Sequence, residues 1–299
     1  MRWMHCKKRP WAKRMIAAPE TQSALSVSEL RRKAVQVRRD ILWMIYEAQA
    51  GHPGGSLSAA DIVTALYFRV MRIDPSQPHW EDRDRFILSK GHACPVWYSA
   101  LANRGYFERG QLLSLRKLNG MLQGHADMKK TPGVDMTVGS LGQGICAGMG
   151  MALGAKHLGK DFHVWVIIGD GEMQEGSVWE AAMASAKWKL DNLTVILDKN
   201  RIQNDDYVSA TMPIEPVREK WAAFGWNTIE IDGHDMQQVV SALETARTVK
   251  GQPTILIANT VKGKGVSFME DVPAWHGKAP NTQQYQQALA ELACLEATL

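Results

Sequence analysis

Cysteine is scarce in this sequence, long apolar runs are missing, and residues 1–15 contain no acid. The four cysteines, Cys6, Cys94, Cys146 and Cys294, are scattered and form no C-x-x-C pair. That argues against a disulfide scaffold and suits a reducing, cytoplasmic setting. No stretch approaches the ~20 apolar residues of a membrane span, and residues 1–15 lack the apolar core of a signal peptide. No internal repeat or linker divides the chain. What is present is ordinary for a globular protein, with 45% hydrophobic and 22% charged residues over 299 positions. That is enough for one large α/β domain or two modest ones. The net charge of +4 is a local effect: Arg2, Lys7, Lys8, Arg9, Lys13 and Arg14 crowd the start, and without them 29 basic residues face 31 acidic ones. Residues 1–15 are therefore expected to be a disordered basic tail, with initiation near Met15 as an alternative, and residues 16–299 one domain. A body near −2 has no polyanion surface to explain, so neither nucleic acid nor membrane is an expected partner.

Hydrophobic period gives the organisation. Ser26-Val-Ser-Glu29 reads as a capping box, and Leu30, Ala34, Val37, Ile41, Ile45 and Ala48 follow at helical spacing. The helix is expected to stop at Gly51, with Pro53-Gly54-Gly55 as a turn and a second helix over about 58–70. Residues 86–88 form a short strand candidate that ends at Ser89-Lys90-Gly91-His92. The glycine-rich stretch 120–144 reads as loops near a ligand, and a small-residue helix follows over about 145–157. From residue 163 apolar runs alternate with helices: 164–168, a helix over 177–188, 193–197, 227–231, a helix over 235–248, and 254–258. Runs apolar on both faces, separated by helices, predict a doubly wound α/β fold, a mostly parallel sheet with helices on both faces.

Gly169-Asp170-Gly171 closes one run and Asn200 follows the next. Consecutive parallel strands of a βαβ unit end on the same sheet edge, where open α/β sheets bind ligands. A carboxylate and an amide oxygen brought together there suit a hard cation, Mg²⁺ above all, with Ca²⁺ or Mn²⁺ as substitutes. Gly171 is expected to let a diphosphate approach the backbone, and the helix start near Gly176–Ser177 adds a favourable dipole. Glu172, Gln174-Glu175-Gly176, an Ala-rich helix, a strand and Asn200 complete the motif that binds thiamine diphosphate. Five of the nine histidines adjoin a glycine: His52, His92, His125, His234 and His276. Jointly they predict a histidine-lined pocket, since glycine frees the neighbouring backbone to aim a ring.

Gly51-His52-Pro53-Gly54-Gly55, Ser89-Lys90-Gly91-His92, Gln123-Gly124-His125, Gly139-Ser-Leu-Gly142-Gln-Gly144, the G-D-G…N motif and Trp275-His276-Gly277 resemble, in that order, the transketolase family. The likeness runs from about residue 26 to 280 and covers the family's N-terminal, diphosphate-binding section. It implies the N-terminal subunit of a split transketolase that moves a two-carbon ketol unit from a ketose to an aldose by a ping-pong route. The partner it implies is a C-terminal transketolase subunit with the pyrimidine domain and the cofactor-activating Glu, in an α2β2 assembly with homodimer contacts. Substrates would be sugars or sugar phosphates. By the same resemblance Asp170, Asn200 and the Ile202 carbonyl hold the metal. His92, Gly171 and His276 contact the diphosphate, and Gly139, Leu141 and Gly169 lie by the cofactor. His52, His125, His92 and His276 serve as proton carriers, and Glu175 links two cofactor sites across a dimer.

Imidazoles titrating near neutrality suit such proton transfers. The diphosphate is expected to be held mainly by metal, backbone amides and histidines rather than by a Lys/Arg patch. Lys199 is expected to point to solvent rather than to the diphosphate. Other readings stay open. One is the α chain of a 2-oxo acid dehydrogenase, although His52, His92 and His276 suit sugar chemistry better. A second is a 1-deoxyxylulose-phosphate synthase-like enzyme, and a third is a cofactor-binding subunit without catalysis. A nicotinamide enzyme is disfavoured because no apolar strand precedes Gly142.

Overall fold

A computed structural model describes residues 24–299; the basic segment 1–15 lies outside the described residues. Helix α1 (Val27–Ala48) starts where expected. Ser26 accepts from the Glu29 backbone while the Glu29 carboxylate accepts from the Ser26 N–H, a complete capping box. The expected turn at Pro53-Gly54-Gly55 is instead helix α2 (Pro53–Ser58). Proline is at home in a first helical turn, where its missing N–H costs nothing. Gly54 is there for close approach: a Cβ on it would lie 2.9 Å from Lys262 Cγ and 3.0 Å from the Trp275 carbonyl. The expected long second helix is split into α3 (Ala60–Ala65) and a π-turn over Leu66–Val70, closed by Met71 N–H donating to the Leu66 carbonyl at 2.8 Å.

Strand β1 (Arg85–Leu88) leads into α4 (Cys94–Arg104), which periodicity does not reveal because residues 94–102 are all buried. After α5 (Gln143–Leu158) come β2 (Val164–Gly169), α6 (Gly176–Lys187) and β3 (Leu193–Lys199). A small hairpin, β4 (Ile202–Gln203) and β5 (Asp206–Tyr207), then runs into the short α7 (Val208–Thr211). The chain continues through α8 (Val217–Ala223), β6 (Asn227–Asp232), α9 (Met236–Thr248), β7 (Thr254–Asn259) and α10 (Thr282–Ala297). Periodicity is equally silent on α10, since only Ala288 and Leu292 on it are buried.

Five strands form one parallel sheet in the order β1-β2-β3-β7-β6. The chain adds strands in one direction up to β3, jumps to the edge at β6 and returns through α9 to β7. Right-handed crossovers place that returning helix on the face opposite α5 and α6. Accordingly α5 packs on α6, while α9 packs on α1 and α3. The α/β fold with a parallel sheet is as the sequence predicts. No helix among the described residues is long and apolar enough to cross a membrane.

A buried charge network joins the helical layer to the loop after β7. Arg38 donates to both oxygens of Asp61, at 2.9 and 2.6 Å. Nδ1 of His234 lies 2.8 Å from Asp61, and its Nε2 accepts from the Val261 backbone. Burial pushes the Asp61 carboxyl up, but Arg38 and His234 outweigh it and hold it below the ordinary carboxylate range. Asp61→Asn, which leaves the Arg38 guanidinium buried without a counter-charge, is expected to cost about 3–5 kcal/mol in urea unfolding. A loss under ~1 kcal/mol, the size of an ordinary surface pair, would show that the network is not a stability element.

Candidate functional site

The register sets the site. Gly169 of β2 lies beside Asp198 of β3, and Asp198 beside Ala258 of β7. The residues just past these strands, Asp170, Asn200 and Thr260, therefore emerge on one edge. Ser89 past β1 joins them through its N–H to the Ile167 carbonyl, 2.8 Å. Asp170 is 2% exposed and Asn200 4% exposed. Both line a cleft together with Ile202, Gly169, Gly171, Leu141, Glu175, His92 and His276.

Within that cleft Asp170 accepts from the Gly171 N–H at 2.8 Å and from the Arg201 N–H. Burial and the neighbouring Asp198 charge still push its carboxyl up to about 6. A buried carboxylate so disfavoured as an anion calls for a cation. Asn200 is oriented by its own amide, whose Nδ2 donates to Asp198 at 3.0 Å, so that Oδ1 is the free end of the dipole and accepts only the Ile202 N–H at 3.2 Å. The Ile202 carbonyl accepts from the Lys262 ammonium at 2.9 Å, which shows that a positive centre reaches it from the cleft. One carboxylate, one amide oxygen and one carbonyl fit a hard divalent ion that takes its other ligands from phosphate. Among the described residues no cluster of three His, Cys, Asp or Glu forms a metal site, consistent with so sparse a donor set.

Three histidines meet opposite this point. The ring centroids of His52, His92 and His276 are 5.1, 5.3 and 5.2 Å apart in pairs. His125 stands outside this triangle, exposed and beside Gly139, where a Cβ would lie 3.9 Å from its ring. The expectation of rings titrating near neutrality does not hold. Burial above all lowers His52 to about 4 and His276 to about 3, and it takes His92 well below its ordinary value and His125 in the same direction. Lys262, Lys90 and Arg116 add positive field. At pH 7 all four are neutral, each with one lone pair and one N–H. Nδ1 of His52 is buried with no hydrogen-bond partner among the described residues.

Two lysines, Lys90 and Lys262, bring fixed positive charge to the cleft. Lys90 is buried, paired with Asp198 and donating to the Gly55 carbonyl. Lys262 lies 2.7 Å from His276 Nδ1 and has no carboxylate partner among the described residues, and burial lowers it to about 8. The signal for Lys262 is present in Val261-Lys-Gly-Lys-Gly265, a lysine between small residues just past a strand. A Cβ added at Gly171, which lines the cleft, would lie 2.7 Å from Gln203 Cβ. One further expectation changes. Lys199 points neither to solvent nor into the cleft but pairs with Glu215. Glu175 is the N-cap of α6 and lies exposed at the cleft rim.

Comparison with known proteins gives the family. Residues 30–294 match the family model described as transketolase, thiamine diphosphate binding domain. The chain is 45% identical over 264 residues to the 6-deoxy-6-sulfo-D-fructose transketolase subunit SqwG of a Clostridium strain, covering 88% of this chain and 96% of that protein. It is 41% identical over 269 residues to an apulose-4-phosphate transketolase subunit of Actinobacillus succinogenes, covering 90% and 97%. Among solved structures, Campylobacter jejuni transketolase superposes with a TM-score of 0.85 at 30% identity, over 90% of this chain but only 43% of that one. The chain thus belongs to the transketolase family and carries its thiamine diphosphate binding domain.

Proposed function

We propose that the chain is the diphosphate-binding subunit of a two-subunit transketolase that moves a ketol unit between sugars or sugar phosphates. The observation that carries this reading is the meeting of Asp170, Asn200 and the Ile202 carbonyl with Lys262 and three neutral histidines in one cleft. Similarity along nearly the whole length of transketolase subunits supports the split form.

In this reading Asp170, Asn200 and Ile202 hold Mg²⁺, or Ca²⁺ or Mn²⁺ in its place, against the diphosphate. Lys262, His92, His276 and the Gly169–Gly171 turn face its oxygens. Thiamine diphosphate, when bound, supplies the carbanion chemistry. Gly139 and Leu141 present a flat wall to its rings. The neutral imidazoles of His52 and His125, with His92 and His276 behind them, accept and return protons at the sugar hydroxyls, a role worth ~10²–10⁴-fold in rate.

The partner is a C-terminal subunit bearing the pyrimidine-binding half, and residues 16–299 act as one domain of an α2β2 complex in the cytoplasm. Exposed Leu158 on α5, and Met183 on α6 with Trp188 just beyond it, support an interface along this helix pair, with Glu175 at its end. Purified alone, the chain is expected to transfer no ketol unit. Co-expressed with such a partner and given thiamine diphosphate and Mg²⁺, it is expected to turn over. A complex that failed to bind cofactor would sink the reading, and one that bound it but transferred nothing would favour a non-catalytic role.

A further inference from the structure

Glu172 directly follows the G-D-G turn, is 2% exposed and lines the cleft, yet has no role in the scheme above. Its Oε1 accepts from the Ser89 hydroxyl and from the Gly142 backbone N–H at 2.8 Å, and its Oε2 accepts from the Gly169 N–H at 3.0 Å. Those donors belong to three separate segments: the Ser89–His92 turn after β1, the Gly139–Gly142 loop before α5, and the end of β2. Gly142 has φ +78°, and a Cβ there would strike Ser177 Oγ at 2.4 Å, while one on Gly144 would strike Ser89 Oγ at 2.4 Å. The amide of Gly142, at the cap of α5, depends on this carboxylate.

We infer that Glu172 is a positioning residue whose two oxygens clamp the Gly139–Gly142 loop to the ends of β1 and β2, fixing the wall at Leu141 relative to Asp170. The inference rests on the proposed cofactor site for its purpose, but not for its test. A carboxylate is needed because two backbone N–H groups address different oxygens. In Glu172→Gln one of them meets an NH₂ instead, whereas the Ser89 hydroxyl can turn.

The test is amide hydrogen exchange by mass spectrometry on the full chain without cofactor. Glu172→Gln is expected to speed exchange in at least one of the peptides covering 139–144 and 169–171 by at least about tenfold, the scale of a lost charged hydrogen bond. Exchange in β3 and α9 should stay unchanged. Glu172→Asp, which keeps the charge but withdraws the oxygens, is the second variant should the first not fold, and it should loosen 139–144 alike. Ser89→Ala, which removes the tie to the end of β1 but leaves both N–H groups their oxygens, should loosen 139–144 less than loss of the carboxylate does. Unchanged exchange at both 139–144 and 169–171 in the Glu172 variants, or a uniform rise across the sheet, would overturn the clamp. Because no cofactor is present, such a failure is separate from any failure to bind thiamine diphosphate. Where cofactor is then added to the partner complex, Glu172→Gln should weaken its affinity more than it lowers turnover at saturation.

Discussion

Asp170→Ala is expected to abolish metal-dependent binding of thiamine diphosphate while leaving the fold intact. Removing a group that merely supports a metal ligand costs roughly 10–100-fold in affinity, so loss of the one charged ligand should exceed a hundredfold in calorimetric titration of the partner complex with cofactor and Mg²⁺. The stability side has the opposite sign. Burial and the Asp198 charge raise the folded carboxyl from its ordinary value of 3.8 to about 6. Its ionised form is thus disfavoured by folding in metal-free protein. The penalty is absent below about 4 and complete above about 6, so stability should fall as pH rises through that window. At pH 7 the alanine variant escapes the penalty, which offsets the two backbone bonds it gives up. Asp170→Asn keeps one of those two acceptors, because the Gly171 and Arg201 N–H groups address different oxygens, but it too escapes the penalty and should melt close to the parent. Cofactor binding surviving in either variant would remove Asp170 from the metal site.

His52→Ala should behave in the reverse way, sparing cofactor affinity and lowering turnover by ~10²–10⁴-fold, the usual worth of a positioned acid–base group. His52 touches the other two rings of the triangle and the Gly277 backbone, where a Cβ would come within 3.4 Å of its ring. Its buried Nδ1 is unpartnered among the described residues, so its ring is not tied to the cation site. His276 differs, because it sits on the Lys262 ammonium. His276→Ala should therefore disturb affinity and turnover together. If His52→Ala lost binding instead of turnover, the proton-carrier role given to it would be wrong.

How much of this is legible in the sequence depends on whether the signal is local. The strands show themselves because a parallel sheet covered on both faces needs continuous apolar runs, and Val164–Ile168 and Leu193–Leu197 supply them. The Ser26–Glu29 capping box is legible because both its bonds fall within four residues. Helix α4 leaves no period to read because every side is buried, and Pro53-Gly54-Gly55 carries a turn's composition in a place where close packing makes it helical. In the site, Asp170 and Asn200 are marked by the glycine and strand ends around them. The contacts of Lys262 and Glu172 are not, since their partners Ile202 and Gly142 lie 60 and 30 residues away. The histidine positions are legible but their protonation is not, because burial is a property of the assembled pocket.

The Arg38–Asp61–His234 network touches the lysine loop at two points. His234 receives the Val261 N–H at 2.8 Å, and Arg38 Nε donates to the Lys264 carbonyl at 3.1 Å. Lys262 is thus strung between two moorings that belong to the outer helical layer and the end of β6, not to the cleft. Anything that loosens α1 or α3 by heat, denaturant or substitution lets that ammonium drift while Asp170 and Asn200 stay in place. If Lys262 faces the diphosphate as proposed, diphosphate affinity would then be a gauge of helical-layer integrity, falling before the sheet itself melts.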